Sequence, residues 1–187
     1  NFLITSKGIK KNKRINDLRV NIGLVFQLPE EQFFNITVKD EISFGMKYFN
    51  YKTKDIDKRV SDALKMVGLN DDYLDRNPLT LSNGEKRKVA IASIIAFNPK
   101  IIILDEPTIG LDPVVKENIR VLIKRMNKEY KTTIFLTSHD VADIEKLCKR
   151  VIIINNGSIV MDDSMENLKY NYLNKKIVEA KMKEKIN

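Results

Sequence analysis

Hydrophobic residues follow two different patterns along this chain. Short apolar runs that end in polar or proline residues lie at 21–26, 101–104, 132–137 and 151–154. Runs of this length are typical of strands in a parallel sheet, and we expect the run at 101–104 to be buried on both faces. Elsewhere, apolar residues recur three and four positions apart, which predicts amphipathic helices. These helices start near residues 37, 53, 83, 113, 141 and 164.

Local signals mark where two of these helices begin. Ser82 and Glu85 have the S-x-x-E spacing of a capping box, so a helix is expected to begin at Asn83. Asp112 followed by Pro113 places a capping residue before proline, which favours the start of a helix. Strands that alternate with such helices predict an α/β fold, in which helices flank a mostly parallel sheet.

Turn and capping residues define further elements. Thr53 or Asp55 is expected to cap the second helix, and Gly68 to end it. The pair at 156–157, Asn-Gly, is a strong signal for a two-residue β-hairpin turn. Residues 174–187 are rich in lysine, and we expect them to form a solvated basic tail.

Two carboxylates, Asp105 and Glu106, come directly after the strand at 101–104. In open α/β sheets ligands bind beyond the carboxyl ends of the strands, so both side chains are expected to face a ligand site. Phosphoryl transfer with Mg²⁺ uses such a pair, one carboxylate to hold the metal and one to orient water. A solvated Asp-Glu turn would be the simpler interpretation if the motif stood alone.

Positive charge follows the capping box in the helix that begins at Asn83. Lys86, Arg87 and Lys88 lie in its first turns, where the helix macrodipole disfavours cations unless an anion is nearby. Free backbone N–H groups, these cations and a small Gly84 that permits close approach together predict a phosphate site. An ordinary capped helix with a solvated basic face is the alternative.

Two polar residues follow other predicted strands. His139, the single histidine, lies just after the strand at 132–137, and Gln27 lies just after the strand at 21–26. Taken alone, each is more simply a structural residue. The strand at 132–137 is expected to deliver His139 to the same edge as the two carboxylates, which favours a shared site for the histidine.

These segments together resemble the motifs of ATP-binding cassette (ABC) ATPases. Residues 81–85 (LSNGE) resemble the signature motif, 101–106 resemble the Walker B strand with its catalytic glutamate, and 110–112 resemble the D-loop. Two positions depart from the family pattern, since Asn83 stands where glycine is usual and Glu85 where glutamine is usual. Residues 27–34 are similar to the Q-loop of energy-coupling-factor importers, which take up vitamins and transition-metal ions.

The resemblance implies a role for each matching residue in an ATP- and Mg²⁺-dependent ATPase. Gln27 and Asp105 would hold Mg²⁺, Glu106 would polarise the attacking water, and His139 would contact the γ-phosphate. Two copies would face each other head to tail, and residues of one copy would contact the nucleotide bound to the other. Those residues are Ser82, Asn83, Gly84, Glu85 and Asp112.

The resemblance also implies a division of the chain within a P-loop NTPase-like fold. Residues 1–36 would be a partial ATPase core with the Q-loop, and 37–97 a helical subdomain that docks on transmembrane subunits. Residues 98–173 would form the rest of the ATPase core, with the Walker B strand, the D-loop and the switch histidine, His139. Residues 174–187 would be the basic tail. The partners implied are a second ABC ATPase subunit and the membrane subunits, with the ATPase bound peripherally at the cytoplasmic face of the membrane.

A Walker A loop, G-x-x-x-x-G-K-[ST], does not occur around any of the seven glycines. We therefore expect the sequence to be the C-terminal portion of a longer ATPase domain, with the N-terminal part of the fold absent. Residues 1–187 alone are expected not to bind ATP or hydrolyse it, and micromolar affinity by calorimetry would contradict this. A degenerate subunit that lends its signature motif to a partner is the alternative.

Composition narrows the function classes. With 187 residues and 43% hydrophobic content, the chain can bury one sizeable core, and no apolar run approaches the ~20 residues that span a bilayer. The single Cys148 is consistent with a buried thiol in a reducing cytosol. The net charge of +8 comes from lysines spread along the chain, so no nucleic-acid partner is expected. An exporter-type ATPase, an ABC ATPase acting on nucleic acid or ribosomes, and a non-catalytic module remain open.

Overall fold

A computed structural model describes residues 15–173. The chain divides into two compact units between His139 and Asp140. The first contains a three-stranded parallel sheet in the order β1-β2-β3. Its strands are β1 (Ile22–Val25), β2 (Ile101–Asp105) and β3 (Thr133–Thr137).

The register of this sheet aligns the carboxyl ends of its strands. Val25 of β1 pairs with Leu104 of β2, and Asp105 pairs with Thr137 at the end of β3. Because all three strands are parallel, the segments that follow them leave from one edge. The pairing confirms the prediction of a parallel sheet in this part of the chain. That ligands bind at this edge stays a prediction.

Five helices belong to the first unit within residues 15–139. The second, third and fourth pack on one another, and the fourth also packs on β1. Their shared core is aliphatic and includes Ile42, Leu64 and Ile91, all fully buried. The helices are α1 (Ile15–Asn21), α2 (Val38–Tyr48), α3 (Thr53–Met66), α4 (Asn83–Ile95) and α5 (Pro113–Tyr130), with 3-10 turns at Pro29–Gln32, Asp71–Tyr73 and Pro78–Thr80.

Two helix starts and one helix end agree with the local signals in the sequence. Ser82 is the N-cap of α4 and forms the complete capping box with Glu85. Asp112 is the N-cap of α5, with Pro113 at the first helical position. Gly68 follows α3 with a φ of +70°, the left-handed conformation that glycine adopts at no steric cost.

Other boundaries differ from the predictions. Helix α3 begins at Thr53, but its N-cap is Lys52 and no side chain caps it, so the expected cap by Thr53 or Asp55 is wrong. Helix α1 was not predicted, because none of its residues is buried and its sequence carries no apolar stripe.

Strand β2 is buried on one face only. Ile102 and Leu104 are buried, whereas Ile101 and Ile103 are half-buried. On the same side of the sheet as Ile103, Phe135 of β3 is 56% exposed. The expectation of burial on both faces is therefore wrong for the described residues, since this side of the sheet is covered incompletely within 15–139.

The second unit, described here over residues 140–173, contains an antiparallel hairpin. Its turn is Asn156-Gly157, and both residues have positive φ values (48° and 75°), as the sequence signal predicts. Arg150 and Asp162 pair across the hairpin with N···O distances of 2.6–2.7 Å. Its elements are α6 (Val141–Leu147), β4 (Arg150–Asn155), β5 (Ser158–Ser164), α7 (Met165–Leu168) and a π-helical turn at Lys169–Leu173.

Cys148 belongs to this unit and is half-buried rather than fully buried. Burial raises the pKa of its thiol, and the nearby Asp143 carboxylate adds to the effect. The protonated thiol is the unreactive form. The predicted tail at 174–187 and residues 1–14 lie outside the described part of the chain, and no helix within 15–173 has the length and hydropathy needed to cross a membrane.

Candidate active site

Asp105 ends strand β2 opposite Thr137, the last residue of β3. The Thr137 hydroxyl donates a hydrogen bond to Asp105 Oδ1 with an O···O distance of 2.6 Å. Since Oδ1 accepts this bond, the other carboxylate oxygen is available to a ligand at the edge of the sheet. The carboxylate is half-buried, so it is held in place yet accessible.

Glu106 leaves the strand in an unusual backbone conformation. Its φ of +44° lies in the left-handed region, which costs a non-glycine residue roughly 1–3 kcal/mol. The backbone N–H of Glu106 donates to both the carbonyl oxygen and the hydroxyl of Thr137, each at 3.2 Å. This strained turn directs the Glu106 side chain across the end of β3, where it is largely buried.

His139 and Glu106 contact each other at this edge. The backbone N–H of His139 donates to Glu106 Oε2 at 3.3 Å, and the ring atom Nε2 lies 3.5 Å from Oε1. The His139 side chain is 96% exposed, whereas that of Glu106 is 11% exposed. The prediction that the lone histidine shares an edge with the carboxylates is therefore confirmed, and its ring remains accessible to a ligand.

Gln27 lies two residues beyond the end of β1, the strand that pairs with β2. The residue is half-buried. The carbonyl oxygen just before it, on Phe26, accepts a hydrogen bond from Arg87 Nη1 at 2.9 Å. Arg87 is only 3% exposed. Its assignment to a phosphate-binding basic cluster is therefore wrong, because this guanidinium ties helix α4 to the segment that carries Gln27.

The start of α4 is held by a small hydrogen-bond network. Glu85 Oε2 accepts from the backbone N–H of Ser82 at 2.9 Å and from its hydroxyl at 2.7 Å. Glu85 Oε1 accepts from the Tyr73 hydroxyl at 2.6 Å. These hydrogen bonds hold the pKa of the Glu85 carboxyl below its ordinary value, and the bond from Tyr73 has the largest effect. The helix therefore begins with an ionised, hydrogen-bonded carboxylate beside an exposed serine.

Gly84 has a packing role that the sequence analysis did not find. A Cβ atom at this position would lie 2.7 Å from Cγ1 of Val115, which belongs to the first turn of α5. Within this chain, Gly84 therefore allows the first turns of α4 and α5 to approach each other closely. Asn83, beside it, is exposed, and both remain predicted nucleotide contacts.

Asp112 uses one carboxylate oxygen for its structural role. Oδ1 accepts from the backbone N–H groups of Val114 and Val115, each at 3.0 Å. The residue is exposed, and its contact with nucleotide stays a prediction.

The site offers oxygen donors suited to magnesium. The free oxygen of Asp105 and the amide oxygen of Gln27 are hard ligands, and Mg²⁺ commonly takes one or two protein oxygens, with substrate phosphates and water completing its shell. Within residues 15–173 there is no group of three or more Asp, Glu, His or Cys that could enclose a metal. Asp105 and Gln27 match in number and kind the one or two protein oxygens that a nucleotide-bound Mg²⁺ would use.

Sequence reasoning missed three site contacts. The Thr137 hydroxyl, the Tyr73 hydroxyl and the Arg87 guanidinium each bond to a partner on another element. The only signal for Thr137 was its position as the last residue of a predicted strand. Nothing local marked the other two, because their partners are fixed by packing.

The carboxyl edge of a parallel α/β sheet presents an aspartate, a glutamate and a histidine, and ligands bind at this edge in open α/β folds. The family model described as "ABC transporter" matches residues 2–109, more than half of the chain. The chain belongs to the ABC transporter family.

Among curated proteins, the chain is similar to the energy-coupling factor transporter ATP-binding proteins EcfA2. It is 43% identical to that of Clostridium perfringens over 164 residues, which are 87% of this chain and 58% of the relative. It is 40% identical to that of Staphylococcus epidermidis over 158 residues, which are 84% of this chain and 55% of the relative. The chain therefore spans rather more than half the length of these relatives.

Two solved structures have the same fold. One is cbiO1 from Clostridium perfringens, described as part of the ABC transporter complex cbiONQ, with 35% identity and a TM-score of 0.78 over 90% of this chain and 67% of that one. The other is a dimeric ATP-binding cassette in a post-hydrolysis state with ADP and Pi, with 28% identity and a TM-score of 0.71 over 83% and 68%. The P-loop NTPase-like fold class is confirmed.

Proposed function

We propose that this chain is part of the ATP-hydrolysing subunit of an energy-coupling-factor importer. In this proposal, hydrolysis in a head-to-tail pair of ATPase subunits drives uptake of a vitamin or a metal ion through membrane subunits. Similarity to the EcfA2 proteins supports the class of transporter. The observation that carries the catalytic part is the contact between Glu106 and His139 at the edge that also presents Asp105.

Each residue at this edge has a chemical task in the proposal. Glu106, anchored on one side by the His139 backbone N–H, would accept a hydrogen bond from the attacking water and polarise it. The exposed His139 ring would donate to the γ-phosphate as negative charge develops there. The burial of Glu106 beside an accessible His139 suits this division, because the base stays oriented while the ring meets the phosphate.

Asp105 and Gln27 are the residues that would hold Mg²⁺. When bound, the ion would neutralise charge on the β- and γ-phosphates. Asp105 presents one oxygen while Thr137 occupies the other. Gln27 follows the neighbouring strand and belongs to the segment tied to α4 by Arg87.

The start of α4 would serve a nucleotide bound to a second ATPase subunit. Ser82 and Asn83 are exposed at this helix terminus, where backbone N–H groups and the helix macrodipole favour an anion. Gly84, Glu85 and Asp112 complete the predicted interface with that subunit. The ionised Glu85 works against phosphate binding, so we assign it the task of holding Ser82 in place.

An exposed apolar surface supports a membrane partner. We call it the docking surface, and it consists of Leu28, Phe34, Ile36, Phe44 and Tyr48. Exposure of its five side chains ranges from 45% to 79%, and the Phe34 and Phe44 rings pack edge to face with centroids 4.5 Å apart. The Phe34–Phe44 pair, with further exposed apolar side chains in the same stretch of the chain, is typical of a protein interaction site.

A buried carboxylate fixes part of the docking surface. Glu41 Oε2 accepts hydrogen bonds from the backbone N–H of Phe34 at 3.2 Å and from the backbone and side-chain nitrogens of Asn35 at 3.0 Å. Glu41 itself is 7% exposed. These bonds hold Phe34 outward in a defined conformation, which lowers the entropy cost of binding a partner. We propose, from the similarity to transporter ATP-binding subunits, that the subunit binds peripherally at the cytoplasmic face of the membrane.

Copurification tests this proposal. The full-length subunit is expressed together with the membrane subunits of its transporter, and the double variant Phe34→Ser, Phe44→Ser is expected to lose copurification. The variant should keep its own ATPase activity, because the site at Glu106 is untouched. The control is Val121→Ser, which removes an exposed apolar side chain from α5. Undiminished copurification, or salt-dependent binding of nucleic acid instead, would overturn the proposal.

A further inference from the structure

Thr137 touches both carboxylate residues of the site. Its hydroxyl hydrogen is donated to Asp105 Oδ1 at 2.6 Å, and its oxygen accepts from the Glu106 backbone N–H at 3.2 Å. Its carbonyl oxygen accepts from the same N–H at 3.2 Å. A hydroxyl has one donor and two acceptor positions, so the donor is committed to Asp105. The position of Thr137 in the sequence alone assigns it no role toward a bound metal ion or the attacking water.

The bond to Asp105 is a strong one by its chemistry. A hydroxyl that donates to a carboxylate forms a charge-assisted hydrogen bond, for which O···O distances of about 2.5–2.7 Å are typical. It fixes which oxygen of Asp105 faces β3 and which faces the ligand side. Because Asp105 and Thr137 are paired in the sheet register, the bond joins two backbone positions that already hold each other.

The bonds to Glu106 act on a strained backbone. The N–H that Thr137 accepts belongs to the residue with a φ of +44°. Holding this N–H favours the turn that directs the Glu106 side chain toward His139. One threonine therefore bonds both to the residue that we propose as a metal ligand and to the residue that we propose to polarise water.

We propose that Thr137 is a positioning residue for the cation site, orienting Asp105 toward Mg²⁺ through its hydroxyl. This inference rests on the proposed function, because it takes Asp105 as a metal ligand. Hydrogen-bond partners of metal-binding carboxylates typically change metal affinity by about 10- to 100-fold when they are removed. The role should therefore be visible in metal binding itself, apart from turnover.

Mn²⁺ binding measured by electron paramagnetic resonance tests the inference. The full-length subunit carries Glu106→Gln to slow turnover, and Mn²⁺ is titrated in the presence of ATP. Thr137→Val, which keeps the branched shape and loses the hydroxyl, is expected to weaken Mn²⁺ binding about 10-fold. Thr137→Ser should restore near-normal affinity. Thr133→Val, an exposed position on the same strand, is the control and should leave binding unchanged.

Asp105→Asn separates this inference from the proposed function. If Asp105→Asn leaves Mn²⁺ affinity unchanged, the assignment of Asp105 as a ligand fails. If Asp105→Asn weakens binding and Thr137→Val does not, Thr137 has no positioning role and the inference is overturned. Thr137→Ala provides a second variant in case the valine form does not fold. A lower melting temperature with unchanged Mn²⁺ affinity in either variant would also overturn it.

Discussion

His139 contacts Glu106 through two different atoms: its backbone N–H donates to Oε2 at 3.3 Å, and its ring Nε2 lies 3.5 Å from Oε1. Both carboxylate oxygens therefore face the segment that follows β3. The backbone contact does not depend on the ring, so Glu106 keeps one fixed hydrogen bond when the exposed His139 side chain turns toward a ligand. The side chain of Glu106 and its backbone conformation each lead to a separate prediction.

Replacing Glu106 with Gln in the full-length subunit should lower ATP hydrolysis at least ~10²-fold, the scale for loss of a positioned base. The amide keeps the shape of the side chain but polarises water poorly. Phosphate release measures the effect. Glu129→Gln, which removes an exposed acid from α5, is the control, and near-normal turnover in the Glu106 variant would remove this residue from its role.

The left-handed backbone conformation of Glu106 predicts that two other variants differ in stability. Glu106→Gly and Glu106→Ala both lose the carboxylate, but only glycine adopts a φ of +44° without strain. Glu106→Gly should therefore be more stable than Glu106→Ala by about 1 kcal/mol. Denaturant unfolding of the two variants under identical conditions measures the difference. Equal stability would show that the native turn does not strain this residue.

Gly84→Ala is expected to destabilise the protein by about 1–3 kcal/mol, because the added methyl group would meet Val115 at 2.7 Å. The cost should exceed the gain in helix propensity, which is at most about 1 kcal/mol. Combining it with Val115→Ala should recover stability, so a double-mutant cycle would give a coupling of opposite sign to the single effects. Asn83→Ala is the matched control. Additive effects of the two substitutions would exclude the contact.

The stability contributed by Glu85 should depend on pH. Because hydrogen bonds from Tyr73 and Ser82 lower its pKa in the folded state, its contribution is complete above the unfolded-state pKa of about 4.3. The contribution is lost as the pH falls through the lower folded-state pKa.

Comparison with Glu85→Gln isolates this effect from other carboxylates. The difference in unfolding free energy between the wild type and the variant should be largest above about pH 5 and should shrink below about pH 4.3. Tyr73→Phe removes the hydrogen bond that lowers the pKa of Glu85 most. It should therefore reduce the difference in unfolding free energy between the form with Glu85 and the form with Glu85→Gln. A difference that is constant with pH would mean that Glu85 is not ionised more readily in the folded state.

Elements defined by neighbouring residues could be inferred from the order of amino acids. The capping box of Ser82 and Glu85, the Asp112-Pro113 helix start and the Asn156-Gly157 turn all occur as expected. In each case the interacting groups lie within about four residues, so their geometry is nearly independent of the rest of the fold. The acidic pair after β2 and the histidine after β3 could be placed at one edge for a similar reason, since parallel strands align their carboxyl ends.

Contacts between distant segments depended on the folded chain. Arg87 reaches the Phe26 carbonyl 61 residues earlier, and Thr137 reaches Asp105 32 residues earlier. These pairs are set by helix packing and strand register, which no local pattern specifies. The same holds for Gly84, whose contact partner is a valine in another helix. Local chemistry thus predicts which residues can act at the site, and packing decides which neighbours hold them in position.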